Sequence, residues 1–193
     1  VGKWHLGDQP GFLPTRQGFD SYFGIPYSND MGVRKGKNWP PLPLMRAERV
    51  IEAPVDQNTL TRRYTEAAVE FIRSNRDRPF FLYLAFTIPH ANNEAWCQGM
   101  EVPDYGPYEK KLWLKPQKGM AAMVTRMDSD IGRIVAHLKE LDLRDNTVIF
   151  FTSDNGPHSE GCYNPRRFDS NGPLRGKKRD LHDGGIRVPL IVR

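Results

Sequence analysis

Phe80-Phe-Leu-Tyr-Leu-Ala-Phe-Thr-Ile-Pro-His90 is an apolar run that finishes on a proline and a histidine. Neither face of such a strand is polar, as expected in a sheet covered by helices on both sides. Two other runs share this grammar: Val1-Gly-Lys-Trp-His5, and Val148-Ile-Phe-Phe-Thr-Ser-Asp154-Asn155-Gly156. In open, mostly parallel sheets, ligands bind in the crevice beyond the carboxyl ends of the strands. Lysine, histidine, aspartate and asparagine arriving at such ends point to an anion and a cation held together.

Outward from the central run, the periodicity predicts a helix from Gln57 to about Asn75. Leu60, Tyr64, Ala67, Ala68, Phe71 and Ile72 recur there at spacings of three and four. A second helix is predicted over Lys118–Leu141, with Met120, Met123, Val124, Met127, Ile131, Ile134, Val135, Leu138 and Leu141 as its apolar stripe. His137 on that helix reads as an exposed residue. Strands follow at Thr147–Thr152 and Ile186–Val192. Residues 8–56, 91–116 and 156–185 read as loops, and no internal repeat is present. Helix and strand alternating in this way predict an α/β fold, a mostly parallel sheet covered by helices on both faces.

The chain has 193 residues, 38% hydrophobic and 11% aromatic, enough for one core. Its 16 prolines and 17 glycines are dispersed among turns, against wholesale disorder. The net charge of +5 comes from scattered basic residues. The densest cluster, Arg175–Arg179, adjoins Asp180 and Asp183, the pattern of a solvated loop and not of a nucleic-acid stripe. Cys97 and Cys162 form no C-x-x-C pattern. Pairing with each other, pairing elsewhere and free thiols all stay open.

Lys3 and His5 share a face if the segment is extended. A lysine offers an anion a point charge, and a histidine passes protons near neutral pH. On these two residues alone, a surface lysine and a core-edge histidine is the preferred reading. His90 alone is also readable as a hydrogen-bonded loop residue. At Asp154-Asn155-Gly156, an isolated carboxylate after a buried strand is costly, and a hard cation relieves the cost. Oxygen donors suit calcium or magnesium, and no thiolate set for zinc is present. An Asx turn is the other reading, with Gly156 permitting a sharp turn. Lys177 and Lys178 belong to a basic loop that Gly184 and Gly185 turn back toward the sheet.

In order along the chain, Gly2-Lys-Trp-His-Leu-Gly7, Gly18-Phe-Asp20, Gly24-Ile-Pro-Tyr-Ser28, Pro89-His90, Ser153-Asp-Asn-Gly156 and Leu174-Arg-Gly-Lys-Lys-Arg-Asp-Leu-His-Asp-Gly-Gly-Ile-Arg-Val-Pro189 resemble the type I sulfatases. These form the arylsulfatase-like branch of the alkaline phosphatase superfamily. The resemblance implies hydrolysis of aryl or carbohydrate sulfate monoesters. It places Lys3 and His5 beside a formylglycine nucleophile, Lys3 holding nucleophile and sulfate and His5 helping to expel sulfate. It makes His90 a sulfate contact and the acid for the leaving alcohol, and Asp154 and Asn155 calcium ligands. The lysine five residues before the acidic position of the Glu-Gly-Gly motif contacts sulfate. That position is Asp183 here, which selects Lys178.

The same resemblance expects a nucleophile motif C/S-x-P/A-x-R. Neither Cys97-Gln-Gly-Met-Glu101 nor Cys162-Tyr-Asn-Pro-Arg166 fits it. The motif and further calcium aspartates are therefore expected before Val1, and a C-terminal subdomain after Arg193. Residues 1–193 are expected to be a central part of the catalytic domain, inactive alone. The loops 27–56, 91–116 and 157–173 are expected to shape the leaving-group pocket. Trp39, Trp96, Trp113, Tyr105 and Tyr163 offer faces on which a sugar or aryl group can stack, core or loop packing being the expected fate of most, and His158 is the expected substrate contact. The expected partner is a sulfated small molecule or glycan, with no nucleic acid and no membrane segment; a periplasmic or secreted location follows by analogy. A phosphonate or phosphate monoesterase, and a non-catalytic binder of sulfated glycans, are the alternatives.

Overall fold

The structure is a computed structural model that describes residues 1–33 and 38–193; Arg34, Lys35, Gly36 and Lys37, within the predicted 27–56 pocket loop, lie outside the described residues. In chain order the regular elements are β1 (Phe23–Gly24), β2 (Leu44–Arg46), β3 (Arg49–Glu52), α1 (Gln57–Ser74), α2 (Lys115–Glu140), β4 (Phe150–Thr152), α3 (Asp183–Ile186) and β5 (Leu190–Val192). The α/β class holds. Both named sheets are antiparallel, β1-β2-β3 and β4-β5. Parallel pairing lies along the segment 1–5 instead.

That segment is threaded between two others. Lys3 N donates to Ala85 O at 2.9 Å and Ala85 N to Val1 O at 2.9 Å. On the other side Gly2 N donates to Phe23 O at 2.8 Å and Trp4 N to Ile25 O at 3.0 Å. Partner numbers rise together on the 23–25 side, and on the other Ala85 bridges Val1 and Lys3 in the parallel pattern, so the three runs are parallel. Gly2 has φ +107°, and a Cβ there would collide with the carbonyl of Ala85. Glycine is required by both backbone and neighbour.

Helix α1 matches its reading. Asp56 caps it, its side chain accepting from Asn58 N at 3.0 Å. Leu60, Tyr64, Ala68 and Ile72 are buried along one face. Tyr64 packs with Phe23, Ile25, Leu42, Leu44 and Val55 to form the first core cluster. Helix α2 begins three residues before its predicted start, because Pro116 lies in its first turn, where no N–H is needed. Met120 and Met123 join Ile88, Ala91, Met100 and Tyr163 in a second cluster. Val124 is exposed and His137 is buried, reversing the reading of both. The His137 ring reaches Glu140 at 3.2 Å on the exposed side of the helix.

Three other readings change. The 8–56 stretch holds a small sheet that its sequence conceals. The β2–β3 hairpin turns at Ala47 and Glu48, with Ala47 at φ 52°, where Asn or Gly would be the usual signal. The 80–86 run is extended but covered unevenly: Phe81 and Tyr83 are exposed apart from ring contacts to Phe19 at 6.1 and 6.5 Å. Strands β4 and β5 are likewise largely exposed, so the burial expected before Asp154 is absent.

A disulfide joins Cys97 to Cys162, 65 residues apart, and ties the 93–98 turn to the loop after β4. In a chain-entropy account, closing a loop of that size stabilises by about 4 kcal/mol. Replacing both cysteines by alanine should lower the unfolding free energy by ~2–4 kcal/mol in urea titrations, with a raised m-value because the denatured chain is no longer crosslinked. An unchanged midpoint would show that the crosslink carries no stability.

Candidate active site

Four segments converge on one place, each fixed by backbone bonds. His5 N donates to Pro26 O at 3.0 Å, anchoring the end of the first segment. His90 N turns back on Thr87 O at 3.1 Å. Beyond β4, Gly156 N donates to Gly185 O at 2.9 Å, and Lys178 N donates to Pro157 O at 2.9 Å. These last two bonds clamp the 153–157 turn against the 176–185 loop. A Cβ on Gly156 would run into the carbonyl of Gly184. Close approach, not a left-handed turn, is why glycine stands there, which corrects the sharp-turn reading.

His90 is the centre of the cluster. Its Nδ1 lies 2.8 Å from the carbonyl oxygen of Ala91, an acceptor, so Nδ1 carries the proton and donates it. Nε2 is then the free lone pair, and Lys178 Nζ donates to it at 3.0 Å. Burial first, then the charges of Lys178 and Lys3, hold His90 below the usual histidine range. Both side chains are largely enclosed, His90 at 20% and Lys178 at 16% exposure.

Lys3 belongs to the same electrostatic neighbourhood. Burial lowers its affinity for a proton, and of its charged neighbours Asp154 opposes that, Lys178 reinforces it, and Asp30 and Glu160 oppose it. His5 is shifted down by burial and by Lys3. The two lysines of the 174–189 loop separate cleanly. Lys177 Nζ is spent on Ser159 Oγ at 2.5 Å, whereas Lys178 faces His90.

His158 does something other than its sequence reading. It is buried, and both ring nitrogens are used by backbone: Nδ1 accepts from Glu160 N at 3.0 Å, which makes Nε2 the donor to Pro89 O at 2.9 Å. With both ring nitrogens engaged by backbone, it braces the residue before His90. Tyr163 packs beside it with ring centroids 5.6 Å apart and is also buried, which removes it from the stacking surface. Trp113 is held by Tyr108 at 5.7 Å and Phe168 at 5.2 Å. Trp96 stays 79% exposed.

Two acids went unread. Glu160 carries no spacing signal in a loop of mixed polar residues, yet its side chain is only 9% exposed. Burial pushes it up, but the hydrogen bond and charge of Lys178, then Arg179 and His90, outweigh that and hold it at about 2. Asp30 accepts from Asn93 Nδ2 at 2.8 Å. Burial raises it, and hydrogen bonds from Ser28 and Asn93 with the charge of His90 bring it below the ordinary carboxylate range.

Asp154 is exposed at the carboxyl end of β4, so the cost of a buried carboxylate does not arise. Its chemistry still suits a hard cation. Asn155 commits Nδ2 to Gly156 O at 2.8 Å, which leaves Oδ1 as a donor atom. Together they offer two or three oxygens, as the carboxylate binds through one or both of its own, of the six to eight that calcium takes. Among the described residues no group of three or more His, Cys, Asp or Glu is arranged to hold a metal. The pair fits part of a calcium shell.

Comparison with known proteins bears on this arrangement. A family model described as Sulfatase matches residues 1–193. The chain is 35% identical to the N-acetylgalactosamine-6-sulfatase of Mus musculus over 203 aligned positions, covering 100% of this chain and 36% of that protein. It is 32% identical to the arylsulfatase G of Rattus norvegicus over 229 positions, covering 100% and 40%. The chain thus spans about two fifths of the length of these curated relatives. Among solved structures, Ps i-CgsB in complex with k-i-k-neocarrahexaose superposes with a TM-score of 0.73 at 30% identity, covering 100% of this chain and 43% of that one. The PsFucS1 sulfatase from Pseudoalteromonas sp. superposes with a TM-score of 0.73 at 27% identity, covering 100% and 41%.

Removing the His158 ring should strand a buried N–H and a carbonyl. Replacing His158 by alanine is expected to cost roughly 1–3 kcal/mol of stability by chemical denaturation. A neutral effect would return His158 to the list of substrate contacts.

Proposed function

The chain belongs to the sulfatase family, and from that we propose that the protein carrying it hydrolyses sulfate monoesters with Lys3, His5, His90 and Lys178 as its working side chains. The observation that carries the reading is a lysine set on a largely enclosed histidine, Lys178 Nζ lying 3.0 Å from His90 Nε2, with Lys3 in the same electrostatic neighbourhood. Paired fixed cations suit an ester bearing one negative charge on three oxygens. A histidine held in one tautomer suits the proton its alcohol needs on leaving.

The division of labour follows from the atoms. Two of the three N–H groups of Lys178 are taken by His90 and by Glu160 Oε2 at 3.0 Å. The third is left for a substrate oxygen. Because Nδ1 of His90 is committed to Ala91, only Nε2 can gain and release a proton. The Lys178 ammonium gives that atom its proton, becoming a neutral amine that regains a proton from water once the alcohol has left. Lys3, its ammonium partly stripped of water, binds the sulfate oxygens as a point charge. His5, kept neutral by burial and by Lys3, takes and returns a proton as sulfate departs. A formylglycine and a calcium ion, both implied by the family resemblance, supply the attacking oxygen and Lewis-acid charge respectively. Asp154 and Asn155 are the residues here that hold the cation.

The substrate is proposed to be a carbohydrate sulfate. In support, one structural relative is described with an oligosaccharide bound and a sequence relative is named for a sulfated amino sugar. An exported location is supported by the Cys97–Cys162 disulfide, since such bonds persist in oxidising compartments. No helix among the described residues is long and apolar enough to cross a membrane.

Paired aryl or sugar esters test the reading in the full-length protein. Sulfate release should far exceed phosphate release, and the reverse preference would move the protein to the phosphate esterases. Replacing His90 by alanine should lower kcat by ~10²–10³. Chelation should abolish turnover and calcium should restore it better than magnesium. Asp154→Ala should lose that rescue; an Asp154→Ala protein that still binds sulfated glycan, from a wild type without turnover, would identify a binder.

A further inference from the structure

We propose that Glu160 is the positioning residue of the sulfate site: its carboxylate holds Lys178 on His90 and offsets one cation, so that sulfate is gripped but also released. The inference rests on the sulfatase reading and assigns a residue that reading does not need. Its warrant is geometric. Oε2 accepts from Lys178 Nζ at 3.0 Å and lies 4.0 Å from His90 Nε2. Oε1 pairs with the Arg179 guanidinium at 2.5 Å without hydrogen-bond geometry. The backbone of the same residue is fixed through its N–H to His158 Nδ1.

Lys178 donates to a neutral histidine, a weak anchor for a flexible ammonium. The carboxylate supplies the second anchor at the same 3.0 Å, charge-assisted and therefore stronger. It also changes the site's charge. Lys3, Lys178 and Arg179 face Asp30, Asp154 and Glu160 across this cluster. An anion entering meets cations already partly neutralised. Without Glu160 the same cations would bind product sulfate more tightly, and tight product is slow product.

Glu160→Gln keeps the shape and removes the charge; Glu160→Asp keeps the charge and shortens the reach. The measurements are turnover of an aryl sulfate and calorimetric binding of inorganic sulfate, both in the full-length protein. For Glu160→Gln we expect roughly three- to tenfold tighter sulfate with kcat lowered at least about tenfold. For Glu160→Asp we expect lowered kcat with sulfate affinity within about twofold of wild type. A folding defect alone would reduce the active fraction and leave the sulfate Kd unchanged. Unchanged or weaker sulfate binding in Glu160→Gln overturns the proposal, as does wild-type kcat in either variant. Should Glu160→Gln not fold, the Asp variant's kcat decides. Wild-type protein that binds sulfate without hydrolysing any sulfate ester overturns the hydrolytic reading alone, because the affinity comparison at Glu160 is still read.

Discussion

Everything at the convergence of the four segments depends on keeping an ammonium group beside an imidazole that is largely out of water. Left alone, such a pair loses: burial disfavours a charge on the imidazole, and a protonated histidine would repel the lysine. The protein resolves this with direction. The Ala91 carbonyl fixes the proton on Nδ1 of His90, so that Nε2 presents only a lone pair to Lys178. The carboxylate of Glu160 then compensates the remaining positive charge. Backbone carbonyls, fixed at no cost in side-chain entropy, thus decide the protonation state of the side chains.

The same logic extends one layer outward. His158 reads its own tautomer from the Glu160 N–H and hands the result to Pro89. Two histidines, one facing the site and one behind it, are therefore set by the main chain in opposite tautomers. The first segment contributes through a similar economy. Because residues 1–5 are bonded on both edges, Lys3 and His5 project from a backbone that has little freedom to move.

How much of this was legible varies with how local the cause is. Helix α1 could be read because its spacing and its Asp56 cap are written in adjacent residues. Lys3, His90 and Lys178 could be read because ordered motifs carry them; spacing alone did not bring them together. The β2–β3 hairpin was hidden because Ala47 occupies a backbone region that sequence assigns to glycine or asparagine. His137 and Val124 were exchanged because a helical stripe does not show which edge of it the neighbouring loops cover. Glu160 was invisible for a deeper reason. A carboxylate's role is set by which cations surround it, and Lys178, Arg179 and His90 reach it from other parts of the chain. His158 was legible as important and illegible in kind, since only its two backbone partners show that it has no atom to spare.

The contact of Gly156 with the Gly184–Gly185 backbone has a consequence for how this architecture can diversify. Together with the Gly184 N–H to Arg175 O bond at 2.7 Å and the crosslink at Cys162, it closes the ends of the excursion between Asn164 and Leu174. A loop with tethered ends is tolerant of length, each doubling costing only about 0.6 kcal/mol in closure entropy. Insertions there would alter what the rim can recognise while the ammonium on His90 stays where it is. Length can change on one side of this contact without disturbing the other, and the three glycines Gly156, Gly184 and Gly185 mark the seam.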